Sequence, residues 1–188
     1  MELTEYLKKS ITVYGASSAH IDQRYFDDAY RCGQLIAEAG YAVCCGGGRE
    51  GLMKAAIEGS LSRGGRAVGV LPSFMVKKAW QHPELTAMIE TPDMHTRKKM
   101  MADLSVGCIA CPGGCGTFEE LMEMITWRQL GLYAGNVVIL NTLGYYDPLI
   151  AQLERSIEQG YRRDDSTRNW AVAATPEEAI NLVLKGRD

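Results

Sequence analysis

Val106-Gly107-Cys108-Ile109-Ala110-Cys111-Pro112-Gly113-Gly114-Cys115-Gly116-Thr117-Phe118-Glu119-Glu120 changes character twice along its length. An apolar run from Val106 to Ala110 stops at glycines 113, 114 and 116 and at Thr117, and an amphipathic segment with Leu121, Met122 and Ile125 follows directly. That succession predicts strand, tight turn and helix. Glycines let such a turn bring bare backbone N–H groups against a ligand, and the positive end of the next helix favours an anion, typically phosphate. Glu119 and Glu120 are expected in the first helical turn, beside whatever the loop holds.

The same alternation extends in both directions. Ile11 to Tyr14 is a short β-prone run ending in Gly15-Ala16-Ser17-Ser18, and a helical period runs from Ile21 or Asp22 to Ala39, with Gly40 as its stop. Tyr41 to Cys45 predicts a strand closed by Gly46-Gly47-Gly48-Arg49-Glu50-Gly51, followed by a helix from about Leu52 to Ser62 and a strand from Arg66 to Leu71. Residues 73–93, punctuated by prolines, are less regular; Trp80 and Met75 are expected to pack locally and Leu85 to Glu90 to form a short strand. Met94 to Leu104 is helical in composition and carries His95, Arg97, Lys98 and Lys99. Beyond the organising turn, helices are expected over Phe118 to Leu130 and Tyr145 to Gly160, and strands over Asn136 to Leu140 and Trp170 to Ala173. Thr175-Pro176-Glu177-Glu178 has the spacing of a capping box at a last helix.

Strands alternating with helices of this length imply an α/β fold: a Rossmann-like open, mainly parallel sheet of about six or seven strands with helices on both faces. In the strand order 3-2-1-4-5-6 the ligand crevice lies where the winding reverses, so the loops Gly15 to Ser18 and Gly113 to Thr117 should face each other across it. With 188 residues, 46% of them hydrophobic, the chain is expected to be one domain over residues 1–188.

A formal charge of −3 and the lack of a basic stripe argue against nucleic acid as a partner; Arg162-Arg163 reads as a solvated helix end or loop. No run approaches the roughly 20 apolar residues of a membrane span, and Met1-Glu2-Leu3-Thr4-Glu5 opens without a secretory pattern, so a cytoplasmic location is the expectation. The six cysteines read as free thiols, and Cys108-x-x-Cys111 has no second pair at zinc spacing, so neither a metal nor a cofactor is expected. The dinucleotide fingerprint is absent after the first strand, and no lysine precedes Thr117 as a triphosphatase loop would require.

Pro112-Gly113-Gly114-Cys115-Gly116-Thr117-Phe118-Glu119-Glu120 resembles the Pro-Gly-Gly-x-Gly-Thr-x-x-Glu motif of the LOG family, the cytokinin riboside 5'-monophosphate phosphoribohydrolases. Gly46-Gly47-Gly48-x-x-Gly51-Leu52-Met53, Met94-His95-x-Arg97-Lys98 and Ile125-Thr126-Trp127-x-Gln129-Leu130-Gly131 resemble three further family segments, in order, within about Thr12 to Gly160. Lys54 departs from the glycine that members often carry. Members have long been labelled lysine decarboxylases, yet that reaction normally needs a pyridoxal phosphate Schiff base, and no lysine here has a recognisable cofactor context.

The resemblance implies instead hydrolysis of the N-glycosidic bond of AMP or an N6-modified AMP to free base and ribose 5-phosphate, by a homodimer. It carries the family's catalytic arginine and glutamate to Arg97 and Glu120; the neighbouring carboxylate Glu119 is expected as helper or alternative. Breaking the bond develops positive charge on the sugar, which a carboxylate stabilises while activating water. Gly113, Gly114, Gly116 and Thr117 are expected to hold the 5'-phosphate and Ser17 or Ser18 to add hydroxyl contacts; Gly46, Gly47, Met94 and Lys98 complete the substrate-binding set. Cys115, at the motif's variable position, reads as an inert thiol. Two other uses of the same anchor are a nucleotide sensor that binds without turnover and a phosphoribosyl or phosphosugar transferase.

Overall fold

In the computed structural model, residues 9–161 and 169–186 are described; the opening Met1 to Glu5 and the Arg162-Arg163 pair lie outside them. The strands are β1 (Ser10–Tyr14), β2 (Ala42–Cys45), β3 (Arg66–Pro72), β4 (Ala87–Thr91), β5 (Ser105–Ala110), β6 (Asn136–Leu140) and β7 (Ala171–Ala173). The helices are α1 (Gln23–Glu38), α2 (Gly51–Ser62), α3 (Ser73–Lys77), α4 (Met94–Leu104), α5 (Cys115–Gln129), α6 (Asp147–Glu158) and α7 (Pro176–Leu184). The seven strands form one sheet in the order β4-β3-β2-β1-β5-β6-β7, every neighbouring pair parallel. This is the expected Rossmann-like sheet with β4 added at its edge. The winding reverses at β1, so the β1/β5 pair marks the crevice.

Alternation along β1 divides the core. Ile11 and Val13 pack with residues of α1, α2 and α7, whereas Tyr14 joins residues of α4, α5 and α6 on the other face. Two buried hydroxyls of β1 do more than fill space. Ser10 Oγ donates to Leu104 O at 2.7 Å and Thr12 Oγ1 to Met101 O at 3.1 Å. They satisfy carbonyls at the carboxyl end of α4 that the helix itself leaves orphaned, and so fix the helix that carries Arg97. At its other end Asp93 caps α4, its carboxylate accepting from Thr96 N at 2.7 Å. The buried cysteines belong to this packing, and burial pushes Cys45 up to about 11 and Cys44 up to about 12, so both stay protonated thiols.

Several boundaries differ from the sequence reading. α5 starts at Cys115, not Phe118, so Glu119 and Glu120 stand in its second turn rather than its first. Their charge is answered by side chains of α4 and not by the end of the helix. Residues 73–77 form the short helix α3, and β4 runs over Ala87–Thr91 rather than starting at Leu85. α6 begins at Asp147, because Pro148 suits a first turn, and this leaves Tyr145 and Tyr146 in the connection after β6. The capping box at α7 is half met: Thr175 Oγ1 accepts from Glu178 N at 3.2 Å, but the Glu178 carboxylate reaches Ala174 N instead. Among the described residues no helix is long and apolar enough to cross a membrane.

Candidate active site

At the carboxyl ends of β1, β2, β3 and β5 lies a cleft of about 600 Å³. The turn after β1 and the turn after β5 meet there, as the amide of Ala16 donates to Pro112 O at 3.0 Å. The turn after β2 joins them through Leu52 N, which donates to Ala16 O at 2.8 Å. Gly51 makes that approach feasible: its φ is +68°, and a side chain there would run into the Ala16 carbonyl.

α5 opens into this cleft with no side-chain cap; Gly114 occupies the cap position, and Phe118 N is bonded to Gly114 O at 3.0 Å. Gly114, Cys115, Gly116 and Thr117 line the cleft with Gly15, Ala16 and Ser17. Bare N–H groups and the positive helix end thus share one space, which suits an anion.

A buried and a part-buried charge stand against the cleft beside it. Arg97 is 6% exposed; its Nη1 donates to Glu120 Oε1 at 2.9 Å and its Nε to Val70 O at 3.1 Å. Burial pushes the Glu120 carboxyl above the ordinary glutamate range, and the Arg97 guanidinium pulls it back only in part. A carboxylate that is partly desolvated, oriented by a permanent cation and open to a cleft can meet a developing positive charge or hold water.

Glu119 has a different environment. It also lines the cleft, but its side chain is about half exposed and accepts a hydrogen bond from Lys98 Nζ. Lys98 is buried and also donates to Glu123 at 3.2 Å. Burial works against the Lys98 charge, and the bonds to Glu119 and Glu123 outweigh it, so its pKa is raised and it stays an ammonium.

Of the residues singled out from the sequence, Arg97, Glu119, Glu120, Ser17, Gly46, Met94, Gly114, Gly116 and Thr117 line the cleft. Ser18, Gly47, Lys98 and Gly113 are not among the lining residues; Ser18 is exposed and the other three are buried. The Ser18 hydroxyl accepts from His20 N, and Gly47, at φ +64°, packs on Leu71 with its carbonyl accepting from His82 N. Gly113 fits against Thr117, and the Tyr145 hydroxyl holds its carbonyl. The lining also includes Met53, Leu71, Met75 and Trp80, which the sequence reading assigned to packing or passed over, and Arg49 and Glu50 at an exposed edge. Trp80 arrives because residues 80–82 pair with the glycine turn: Arg49 N donates to Trp80 O and Gly48 bridges to Gln81. The available signal was position, since the carboxyl ends of β2 and β3 face the same crevice as those of β1 and β5.

A family described as possible lysine decarboxylase matches residues 53–183. A cytokinin riboside 5'-monophosphate phosphoribohydrolase of Rhodococcoides fascians is 38% identical over 176 residues, 93% of this chain and 89% of that protein. The chain belongs to the LOG family. Cytokinin riboside 5'-monophosphate phosphoribohydrolase LOG1 of Arabidopsis thaliana is 35% identical over 188 residues, all of this chain and 86% of its own. Among solved structures, the molybdenum cofactor binding protein of Rippkaea orientalis superposes with a TM-score of 0.69 at 24% identity, covering 93% of this chain and 95% of that one; the likeness is one of fold. In this LOG chain the motif glycines end a parallel strand and start α5, while Arg97 comes from the helix that precedes that strand. Among the described residues no group of three His, Cys, Asp or Glu side chains could hold a metal ion.

Proposed function

We propose that the protein hydrolyses the N-glycosidic bond of AMP or an N6-modified adenosine 5'-monophosphate, releasing the free base and ribose 5-phosphate. The observation that carries this reading is the part-buried Arg97–Glu120 pair, 2.9 Å apart, lining the same cleft as the uncapped amino end of α5. The helix end takes the 5'-phosphate, with Gly114, Gly116 and Thr117 as its contacts and Ser17 beside them. The ribose then lies against Glu120. As the bond from C1' to the base nitrogen breaks, its electron pair leaves with the base and positive charge grows on the sugar, where the Glu120 carboxylate stabilises it. Water adds its oxygen to C1' and gives up a proton, which ends on the base. Arg97 stays protonated throughout and orients Glu120. Glu119, tied to Lys98, is the helper, and Met94 with the other apolar lining residues faces the base.

The relatives named as phosphoribohydrolases of cytokinin nucleotides support the same chemistry. We further propose a single domain acting as a homodimer in the cytoplasm, without nucleic acid, membrane or cofactor as partner. The test is incubation of the purified protein with AMP and with isopentenyl-AMP, without added metal, followed by assay of free base and ribose 5-phosphate. Equal amounts of both products are expected. Tight binding without product would replace the hydrolase with a sensor, and product formed only with an added acceptor would replace it with a transferase.

A further inference from the structure

Three successive carbonyls of the turn after β5 are held from outside that turn. Cys111 O accepts from the Tyr146 hydroxyl at 2.8 Å, Pro112 O from Ala16 N at 3.0 Å, and Gly113 O from the Tyr145 hydroxyl at 2.5 Å. No peptide bond in the described chain is cis, so each N–H points opposite to the carbonyl of its own peptide unit. Pro112 has no N–H, so tying back the Pro112 and Gly113 carbonyls turns the Gly113 and Gly114 N–H groups the other way, and successive amides so directed make an anion-binding concavity.

The peptide between Gly113 and Gly114 is the one that most needs such a hold. With glycine on both sides it can rotate at little cost. A side chain at Gly113 cannot stiffen it either, because a Cβ there would overlap Thr117 Oγ1. The hold comes from the connection after β6. Tyr145 is stacked on Phe118, ring centres 6.4 Å apart, and meets Tyr25 edge-on at 6.0 Å. Phe118 belongs to α5 itself, so the same ring whose hydroxyl anchors the turn is registered against the helix that the turn opens.

We infer that Tyr145 is a positioning residue for the phosphate anchor: its hydroxyl fixes the Gly113 carbonyl, and so presents the Gly114 N–H to the anion. The inference rests on reading the amino end of α5 as the phosphate site. Tyr145 touches no reacting atom. Its contribution is selective, felt by ligands that carry phosphate and not by those that lack it.

Tyr145→Phe keeps the ring and removes only the hydroxyl. Binding of ribose 5-phosphate and of adenosine is measured by calorimetry on the full chain, which does not depend on turnover. Loss of one orienting hydrogen bond predicts that the Kd for ribose 5-phosphate rises about 2- to 12-fold, while that for adenosine stays unchanged. Tyr146→Phe is the comparison: it strips a buried carbonyl of its partner, so it lowers the thermal midpoint. Proportional weakening of both ligands by Tyr145→Phe would show a merely structural role and overturn the inference, as would no change in either. If the parent protein binds ribose 5-phosphate but leaves AMP intact, the hydrolase reading falls, and the ratio of the two Kd changes still decides the role of Tyr145.

Discussion

Gly46 lies against the guanidinium of Arg97, and that contact allows the catalytic proposal to be tested without altering either charged residue. A Cβ at Gly46 would overlap Arg97 Nη2, stand 3.3 Å from Arg97 Cζ and 3.0 Å from Met53 Sδ. The backbone at Gly46 is not in the left-handed region, so Gly46→Ala is a steric change and not a backbone one. The methyl must push the guanidinium by on the order of 1 Å, and misplacement of that size near reacting groups costs about 100-fold in rate. The bonds at stake give a similar figure. Displacement breaks the 2.9 Å link to Glu120, and a charge-assisted hydrogen bond is worth about 1.5–3 kcal/mol, or roughly 10- to 150-fold. The assay is steady-state release of adenine from AMP. kcat should fall within that range while KM stays near the parent value, because the anion anchor on α5 is untouched. Combining Gly46→Ala with Arg97→Ala should cost no more than Arg97→Ala alone, since both act on one interaction. A folded Gly46→Ala protein with kcat within about twofold of the parent would refute the claim that the pair must be intact.

Glu120→Gln retains the shape of the side chain and loses its charge, so kcat should drop about 10²- to 10⁴-fold with AMP affinity retained; unchanged turnover would remove Glu120 from the mechanism. The pH profile carries a sign of its own. Burial raises the Glu120 pKa above its ordinary 4.5 and Arg97 lowers it in part, so kcat/KM, which needs the ionised form, should fall on acidification with a midpoint above that value. Arg97→Ala should move this limb further upward, and a limb at or below the ordinary value would contradict the assignment. Asp93→Ala removes the cap of α4 and should lower the thermal midpoint at neutral pH. The bond to Thr96 N depresses the Asp93 pKa, so this stabilisation is present above the unfolded carboxyl's pKa and lost as pH falls through the folded one; the two proteins should converge in acid, as pH-dependent melting would record.

The sheet was readable from the sequence because parallel strands buried on both faces appear as continuous apolar runs. β5 and β6, in which Cys108–Ala110 and Val137–Leu140 are buried, are clear examples. β4 was blurred because, at the sheet edge, its burial alternates and only Thr91 is fully covered. The start of α5 was misplaced because Cys115 and Gly116 are poor helix formers sitting among other glycines, so composition hid a boundary that chain geometry makes plain. Arg97 and Glu120 were singled out through motif resemblance, not through any period, and the structure pairs them at the cleft. Met53, Leu71, Met75 and Trp80 were missed as cleft residues because an apolar side chain that lines a cleft has the same composition signal as one that packs a core. Tyr145 was absorbed into a predicted helix, although its place after β6 put it at the ligand-bearing edge of the sheet.

The central claim concerns where the two ends of a nucleotide lie, and a crystal structure of the Glu120→Gln protein with AMP measures it directly. The phosphate oxygens should lie about 3 Å from the N–H groups of residues 114–117, with the ribose against the side chain at position 120 and Arg97 still bound to it. A phosphate held elsewhere, with the side chain at position 120 turned away from the sugar, would contradict the account.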